Sequence, residues 1–347
     1  MTLLHRLNLN LPIIQAPMAG VSTPEMAAAV SNAGGLGSIA IGASDPATAR
    51  VMIEAVRRQT DRAFNVNVFV HASPQPDPIR EAMWLGALSP LFADYDAVPP
   101  NSIRPIYKSF AEDDDLLAVL VEAAPPVVSF HFGLPDARRI AALKAAGCVL
   151  LATATNLTEA QAIETAGLDG IVAQGFEAGG HRGMFDPDAR DDELTSLVLT
   201  RLLVSRCKLP IIAAGGIMNG YGIRAALDLG AVAAQLGTAF IACPESSADA
   251  AYRAALMNPD AHTLMTRAIS GRPARCLANR FTAFGQATTG TPPDYPIAYD
   301  AGKALNAAAK AKGEGGFGAQ WAGQGAPLAR SLSTAELMAA LAREMGT

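Results

Sequence analysis

One unit recurs through residue 240 of this chain: a short apolar run, a turn rich in Gly, Asn or Thr, an Ala-rich helical stretch, then Ala-Gly or Leu-Gly. Short apolar runs between turn residues are how parallel strands buried on both faces look in sequence, because neither face meets water. They fall at 12–17, 35–40, 64–70, 127–132, 149–153, 170–174, 210–214 and 233–240. The segments between them are punctuated as helices. Thr23-Pro24 and Asp45-Pro46 each pair an N-cap with a first-turn proline, and Asn156 with Glu159 has capping-box spacing. Gly34, Gly147, Gly167 and Gly230 stand where a helix needs a left-handed residue to stop. Eight strands alternating with helices predict an α/β fold, a closed (β/α)8 TIM barrel. The rival is an open doubly wound sheet. Its dinucleotide-binding form carries G-x-G-x-x-G after the first strand, where this chain has Ala16-Pro17-Met18-Ala19-Gly20.

Two stretches break the rhythm. Residues 71–111 are proline-rich, hold Trp84, Tyr95 and Tyr107, and follow strand three at the end of a barrel where function sits, so they are expected to act as a lid. Residues 256–330 are too long for an ordinary loop. They contain Pro292-Pro293-Asp294-Tyr295-Pro296, a helix-like run at 299–312 and a glycine-rich segment around Trp321. The expected organisation is a barrel over 1–255, a small, mainly helical cap over 256–330 and a C-terminal helix over 331–347.

Composition narrows the class. Of 347 residues half are apolar and 17% charged, which excludes a disordered chain. A net charge of -5 without any Lys/Arg-rich run excludes a nucleic-acid partner. The four cysteines, Cys148, Cys207, Cys243 and Cys276, are scattered and form no C-x-x-C pair. That is neither a disulfide framework nor a zinc site, and it fits a reducing compartment. No uninterrupted apolar run reaches membrane-spanning length and the start lacks a signal-like apolar region, so no membrane partner and a cytoplasmic location are expected. A monomer and a homodimer are equally compatible with the sequence.

Barrel chemistry sits at the C-terminal ends of the strands. Strand seven ends Ala214-Gly215-Gly216-Ile217, and strand eight contains Gln235-Leu236-Gly237-Thr238. Glycines at adjacent strand tips let main-chain N–H groups approach a phosphate; they also simply make tight turns. Strand six runs into Gln174-Gly175-Phe176-Glu177-Ala178-Gly179-Gly180-His181-Arg182-Gly183. A histidine among glycines has little packing to explain it, so His181 is the candidate base or hydrogen-bond donor to an anion. Arg182 either helps hold that anion or is a solvated surface arginine. At strand one, Ala16, Pro17 and Met18 offer a small-residue wall for a flat ring, although core filling is the commoner use of Met. The strands carry no lysine for a Schiff base, there is no H-E-x-x-H or His/Asp metal cluster, and no G-x-S-x-G. No metal is therefore expected, and a phosphate-bearing cofactor would carry the chemistry.

These residues resemble class I nitronate monooxygenases, formerly 2-nitropropane dioxygenases. The resemblance lies in Gln15-Ala16-Pro17-Met18-Ala19-Gly20-Val21-Ser22-Thr23-Pro24 running on to Ala33-Gly34-Gly35-Leu36-Gly37, in Phe64-Asn65-Val66-Asn67-Val68-Phe69 with His71, in Val128-Ser129-Phe130-His131-Phe132-Gly133 with Pro135, and in the loop ending His181-Arg182-Gly183. Trp321-Ala322-Gly323-Gln324 with Leu328-Ala329-Arg330 is similar too, so the likeness spans nearly the whole chain. It implies non-covalent FMN contacted by Ala16, Pro17, Met18, Asn67, Gln174, Gly179, Gly180, Gly215, Gly216 and Gln235, Leu236, Gly237 and Thr238. It implies His181 as the catalytic residue, with Tyr107, His131, Tyr252, Tyr295, Tyr299 and Lys303 around the substrate. The implied reaction takes an anionic alkyl nitronate such as propionate 3-nitronate and O2 to a carbonyl compound and nitrite, by way of a flavin semiquinone and without a nicotinamide. His181 and Lys303 are expected to supply positive donors to the anion. One departure is the aspartate-rich run at 186–192, expected to be a solvated turn. The alternatives are an FMN-dependent NAD(P)H:quinone or enoyl-thioester reductase and a non-catalytic flavin-binding protein. A relative of inosine-monophosphate dehydrogenase would need a cysteine on the loop that here carries His181.

Overall fold

Each of the eight apolar runs forms a strand in the computed structural model, which describes residues 2–346. They are β1 (Ile13–Gln15), β2 (Gly37–Ala40), β3 (Phe64–Phe69), β4 (Val127–His131), β5 (Val149–Ala154), β6 (Gly170–Gln174) and, after a two-residue β7 (Gly180–His181) outside the barrel, β8 (Ile211–Ala214) and β9 (Ala233–Leu236). The eight pair in parallel in the order β1-β9-β8-β6-β5-β4-β3-β2. Leu36 closes the ring: its N–H donates to the Ile13 carbonyl (2.9 Å) and its carbonyl accepts from Gln15 N–H (3.0 Å). The result is a (β/α)8 barrel, not an open sheet.

The two-residue period of a strand decides which side chains fill which core. On β5, Val149 and Leu151 point into the barrel with Ile14, Val127, Val172 and Ile212, while Leu150 and Ala152 face the helices. A short N-terminal helix (Leu3–Arg6) brings Leu3 and Leu7 into that inner cluster. The expected helix signals hold. Thr23 and Asp45 cap their helices ahead of Pro24 and Pro46, and the four helix-stopping glycines all have positive φ. Asn156 accepts from Glu159 N–H, but Glu159 does not complete the box; its carboxylate takes Thr155 and Phe185 N–H instead.

The eighth run is shorter as a strand than its 233–240 span. It stops at Leu236, and Thr238–Ile241 is one buried helical turn. A short apolar run does not distinguish a buried strand from a buried helical turn.

Residues 71–111 and 256–330 share one apolar cluster. The helix Pro78–Ala93 brings Trp84, Leu88 and Phe92 against Phe281, Ile297, Leu305 and Phe317. Arg80 ties them further, donating to the Pro292 carbonyl and to Asp294 (2.8 Å). Besides its helices, this part contains a sheet that local pattern did not announce: β10 (Thr263–Thr266) and β11 (Ala274–Leu277) form an antiparallel pair, and β7 adds to β11. The C-terminal helix Thr334–Met345 packs Leu337, Met338 and Leu341 into the same cluster as Met26 and Ile223 on the barrel's outer helices. Among the described residues no helix is long and apolar enough to cross a membrane.

Candidate active site

At the C-terminal ends of the strands the chain encloses a cavity of about 610 Å³, within the range of ligand sites. The sequence-predicted residues converge on it: Ala16, Pro17 and Met18 from the β1 tip, Asn67, His131, Gln174, Gly179, Gly180 and His181, Gly215 and Gly216 beyond β8, Gln235, Gly237 and Thr238 at β9, and Tyr107, Tyr252, Tyr295, Tyr299 and Lys303 from the segments that follow β3 and β9. Leu236 is the exception. It is buried in the cluster between barrel and helices with Ile13 and Phe240. Alternation along β9 sends it to the opposite side from Gln235.

The glycines at the strand tips are there for backbone reasons. Gly215 and Gly216 have φ of +112° and +70°, a left-handed pair that turns the chain away from β8. The N–H groups of Gly216 and Thr238 find no acceptor among the described residues. The missing side chain of Gly179 serves packing: a Cβ there would lie 2.4 Å from the Gly323 nitrogen. That approach docks the 321–325 segment, and Gly323 N–H donates to the Thr238 hydroxyl (2.9 Å). Gln15, prominent in the first motif, is fully buried; its amide donates to Ser22 and accepts from Ser38 N–H, both at 2.8 Å, so it is structural.

His181 is held from every side. Because β7 pairs with β11, its backbone is fixed, and its carbonyl accepts from Gln174 Nε2 (3.0 Å) and His131 Nε2 (3.2 Å). Donating through Nε2, His131 uses Nδ1 to accept from the Thr153 hydroxyl (3.0 Å). Both nitrogens of His131 are thus occupied by protein, and it lines the cavity chiefly as a brace. The His181 ring meets Ser270 Oγ through Nε2, and Ser270 also reaches the Arg272 carbonyl. The single Ser270 proton has two acceptors in reach, Nε2 at 2.9 Å and the Arg272 carbonyl at 3.3 Å, and the neutral His181 ring keeps one lone pair in either arrangement. Burial holds this imidazole well below the usual histidine range, with neighbouring His131, Arg272 and His71 adding to the effect. His181 is therefore a neutral group in the ligand-free site, not the positive donor expected from sequence.

Arg182 is neither an anion holder nor a surface residue. It is 1% exposed, forms a bidentate pair with Asp191 (2.7 and 2.9 Å), and reaches the Gln174 carbonyl (2.9 Å). The 186–192 run is accordingly more than a solvated turn, since Asp191 closes the histidine loop and Asp188 pairs with Arg267 (2.7 Å). A buried arginine needs a carboxylate, and the one it found lies nine residues on.

Four tyrosines ring the cavity. Tyr107 and Tyr295 share a hydroxyl–hydroxyl hydrogen bond, and Tyr252 donates to the Trp321 carbonyl. Burial raises all of their pKa values, Tyr299 to about 12, so each stays a neutral hydroxyl at neutral pH. Lys303 lies over the Tyr299 ring at 5.1 Å, its pKa lowered by partial desolvation against the opposing effect of Asp300.

Sequence reasoning missed a second layer. Phe132 follows β4 with φ +78°, rare for a non-glycine, and its ring touches His131 (4.4 Å), Tyr295 (5.3 Å) and His181 (5.6 Å). Ser270, Gly271 and Arg272 form the turn between β10 and β11, and Arg272 lies on the Phe132 ring at 4.2 Å. Nothing local marks that turn; only the fold brings it to His181.

The buried histidines carry a stability signature. Burial lowers both His71 and His131 to about 4 from an ordinary 6.5. Depressed native values mean that the unfolded chain binds protons first as pH falls. The stability these groups confer is complete above 6.5 and drains away towards 4. By pH ~5 the loss is about 2 kcal/mol for His71, and less for His131, whose ring partly faces the cavity. Thermal unfolding midpoints should drop between about pH 7.5 and about pH 5, and a His71→Gln variant should show a shallower fall. A flat profile would contradict this.

Among the described residues no His, Cys, Asp and Glu cluster could hold a metal ion. The geometry therefore offers main-chain N–H groups at two strand tips, a neutral imidazole and a ring of hydroxyls. Known proteins share the fold and much of the sequence. The crystal structure of a nitroalkane oxidase from Streptomyces ansochromogenes superposes with a TM-score of 0.88 at 41% identity, covering 98% of this chain and 96% of that one. FabK from Thermotoga maritima is more distant, at TM-score 0.74 and 29% identity, over 99% and 94%. Proteins called nitronate monooxygenase from Paraburkholderia phytofirmans and Pseudomonas aeruginosa are 61% and 56% identical, over 99% and 98% of this chain and 94% and 97% of theirs. A family model for nitronate monooxygenase matches residues 2–344. With the family model and relatives of 56% and 61% identity each covering nearly its whole length, this chain belongs to the nitronate monooxygenase family.

Proposed function

We propose that the chain oxidises anionic alkyl nitronates with O2, yielding a carbonyl compound and nitrite, with FMN held in the cavity described above. The observation that carries the reading is the union, in one enclosed space, of a glycine-rich main-chain cradle and the neutral His181 imidazole. The cradle fits a flavin phosphate: Gly216 and Thr238 offer unclaimed N–H groups, and the left-handed Gly215-Gly216 pair leaves no side chain in the way. Ala16, Pro17, Met18, Gly179 and Gly180 give a wall without bulk for the ring system, and Asn67 and Gln174 add polar contacts. Asn67 is anchored by donating to Ser129 Oγ (3.0 Å). When bound, FMN would supply one-electron oxidation and the means of reacting with O2.

The chain's own residues do the rest. Neutral hydroxyls of Tyr107, Tyr295 and Tyr299 line the cavity and orient the nitro oxygens, while Tyr252, its proton held by the Trp321 carbonyl, adds wall and Lys303 attracts the anion. His181, as a neutral imidazole with one lone pair, accepts or returns a proton next to the reacting carbon. A second reading is supported by that lone pair. A neutral imidazole can take the proton next to a nitro group, which extends the substrate range to neutral nitroalkanes. The 41%-identical neighbour is called a nitroalkane oxidase.

The visible spectrum of the purified protein, then an oxygen-electrode trace with propionate 3-nitronate, tests the proposal. Yellow protein that takes up oxygen with no pyridine nucleotide added is the expected result. Rapid anaerobic bleaching by NADH would instead favour a reductase. A protein that cannot be reconstituted with FMN would end the proposal.

A further inference from the structure

Three arginines lie fully buried beside the histidine loop: Arg182, Arg272 and Arg275, at 1%, 2% and 3% exposure. Arg182 has its carboxylate, Asp191. Arg275 satisfies Nε and Nη2 on the Phe176 carbonyl (3.1 and 2.9 Å) and lies over the Phe176 ring. Arg272 is the odd one. Its Nη2 donates to the Met184 carbonyl, its Nε is buried without a partner, and no carboxylate forms an ion pair with it among the described residues. The carboxylates nearest in charge, Glu159 and Asp186, support it only through space and make no ion pair with it. Glu159 accepts from Thr155 and Phe185, Asp186 accepts from Asp188 N–H (2.9 Å), and Arg267 opposes them as another cation; the remaining neighbours are the Tyr295 hydroxyl and the rings of His71, His131 and His181. Desolvation lowers Arg272 to about 10, which still leaves it charged at neutral pH.

A buried charge with no carboxylate in contact is costly, and chains keep one where something else supplies the opposite sign at close range. The guanidinium sits 4.2 Å from the centre of the Phe132 ring, and Phe132 is part of the cavity wall. Phe132 also keeps an unfavourable left-handed backbone. Two costly features in contact, one of them forming the wall of the cavity, mark a functional position.

We propose that Arg272 is a positioning residue that makes the cavity select anions, its charge carried behind the Phe132 ring as the counter-charge for the bound nitronate. The inference rests on the nitronate reading above and names the group that recognises the substrate's charge. Lys303 at the rim attracts the anion, whereas Arg272, shielded from water, acts from inside with less screening by salt.

The test compares FMN-loaded wild type, Arg272→Met and Arg272→Lys. Binding of nitrate, a planar unreactive anion, is read by calorimetry. KM and kcat are measured with ethyl nitronate and with neutral nitroethane. Arg272→Met should weaken nitrate binding about tenfold and raise KM for the nitronate by a similar factor, with kcat much less affected and the nitroethane KM unmoved. Arg272→Lys should recover most of the loss. Should Arg272→Met not fold, Arg272→Gln, which keeps a donor for the Met184 carbonyl, carries the same comparison. A folded variant that binds nitrate within about twofold of wild type, or that loses anion and neutral ligand equally, overturns the proposal. If wild type binds nitrate tightly, the variant does not, and neither consumes nitronate, Arg272 keeps its role and the nitronate reading fails.

Discussion

Replacing His181 by Asn should leave FMN bound and its absorbance unchanged, yet cut turnover of neutral nitroethane by about a hundredfold or more. Asn retains hydrogen bonding near Ser270 but cannot take a proton. The wild-type ring can, because burial favours its neutral form, which keeps one ring nitrogen unprotonated. A nitronate has already lost the proton in question, so the same substitution should cost it less, about tenfold, through lost orientation against Phe132, Tyr295 and Trp321. Steady-state kinetics on both substrates, with an absorbance spectrum of each preparation, separate the two effects. Unaltered turnover of both substrates would remove His181 from the mechanism.

Gly271→Val should be strongly damaging although Gly271 lies outside the cavity wall. Gly271 has φ +89°, and a Cβ there would stand 2.2 Å from the Pro293 carbonyl oxygen and 2.9 Å from the Tyr295 nitrogen. Those are backbone atoms, which cannot rotate out of the way. A β-branched residue in a left-handed conformation costs about 1–3 kcal/mol, and overpacking against main chain costs about as much again, so a loss of about 4 kcal/mol is expected. The damage reaches function as well. The same turn carries Ser270 to His181 and Arg272 to Phe132, and its neighbour Tyr295 faces the His181 ring at 5.2 Å. Urea unfolding should show the reduced stability, and turnover of the remaining folded protein should fall with it. Wild-type stability in Gly271→Val would mean that the segment 293–295 yields more easily than a packed backbone should.

The two variants locate what could be read in advance. Eight apolar runs predicted the barrel because strands buried on both faces need local apolar composition, and Gly34, Gly147, Gly167 and Gly230 marked helix ends because only glycine adopts that backbone cheaply. His181 stood out because glycines surround it. Arg182 is illegible for the opposite reason: a charged residue in a loop looks solvated until a carboxylate buries it, and Asp191 belongs to a run that looks like surface. Leu236 was included with its motif, although one position along a strand is enough to turn a side chain to the other face. The pairing of β7 with β11 and the contact of His181 with Ser270, 89 residues apart, left no local trace.

By itself the sequence determined the barrel, and with it the end at which chemistry must occur and the motifs gathered there. These follow from periodicity and glycine placement, properties of short segments. The tertiary structure decided charge and partnership: that His181 is neutral, that Arg182 is paired, and that Arg272 is not. Desolvation and through-space neighbours set those states, and both depend on which distant segments meet, something no stretch of the chain encodes alone.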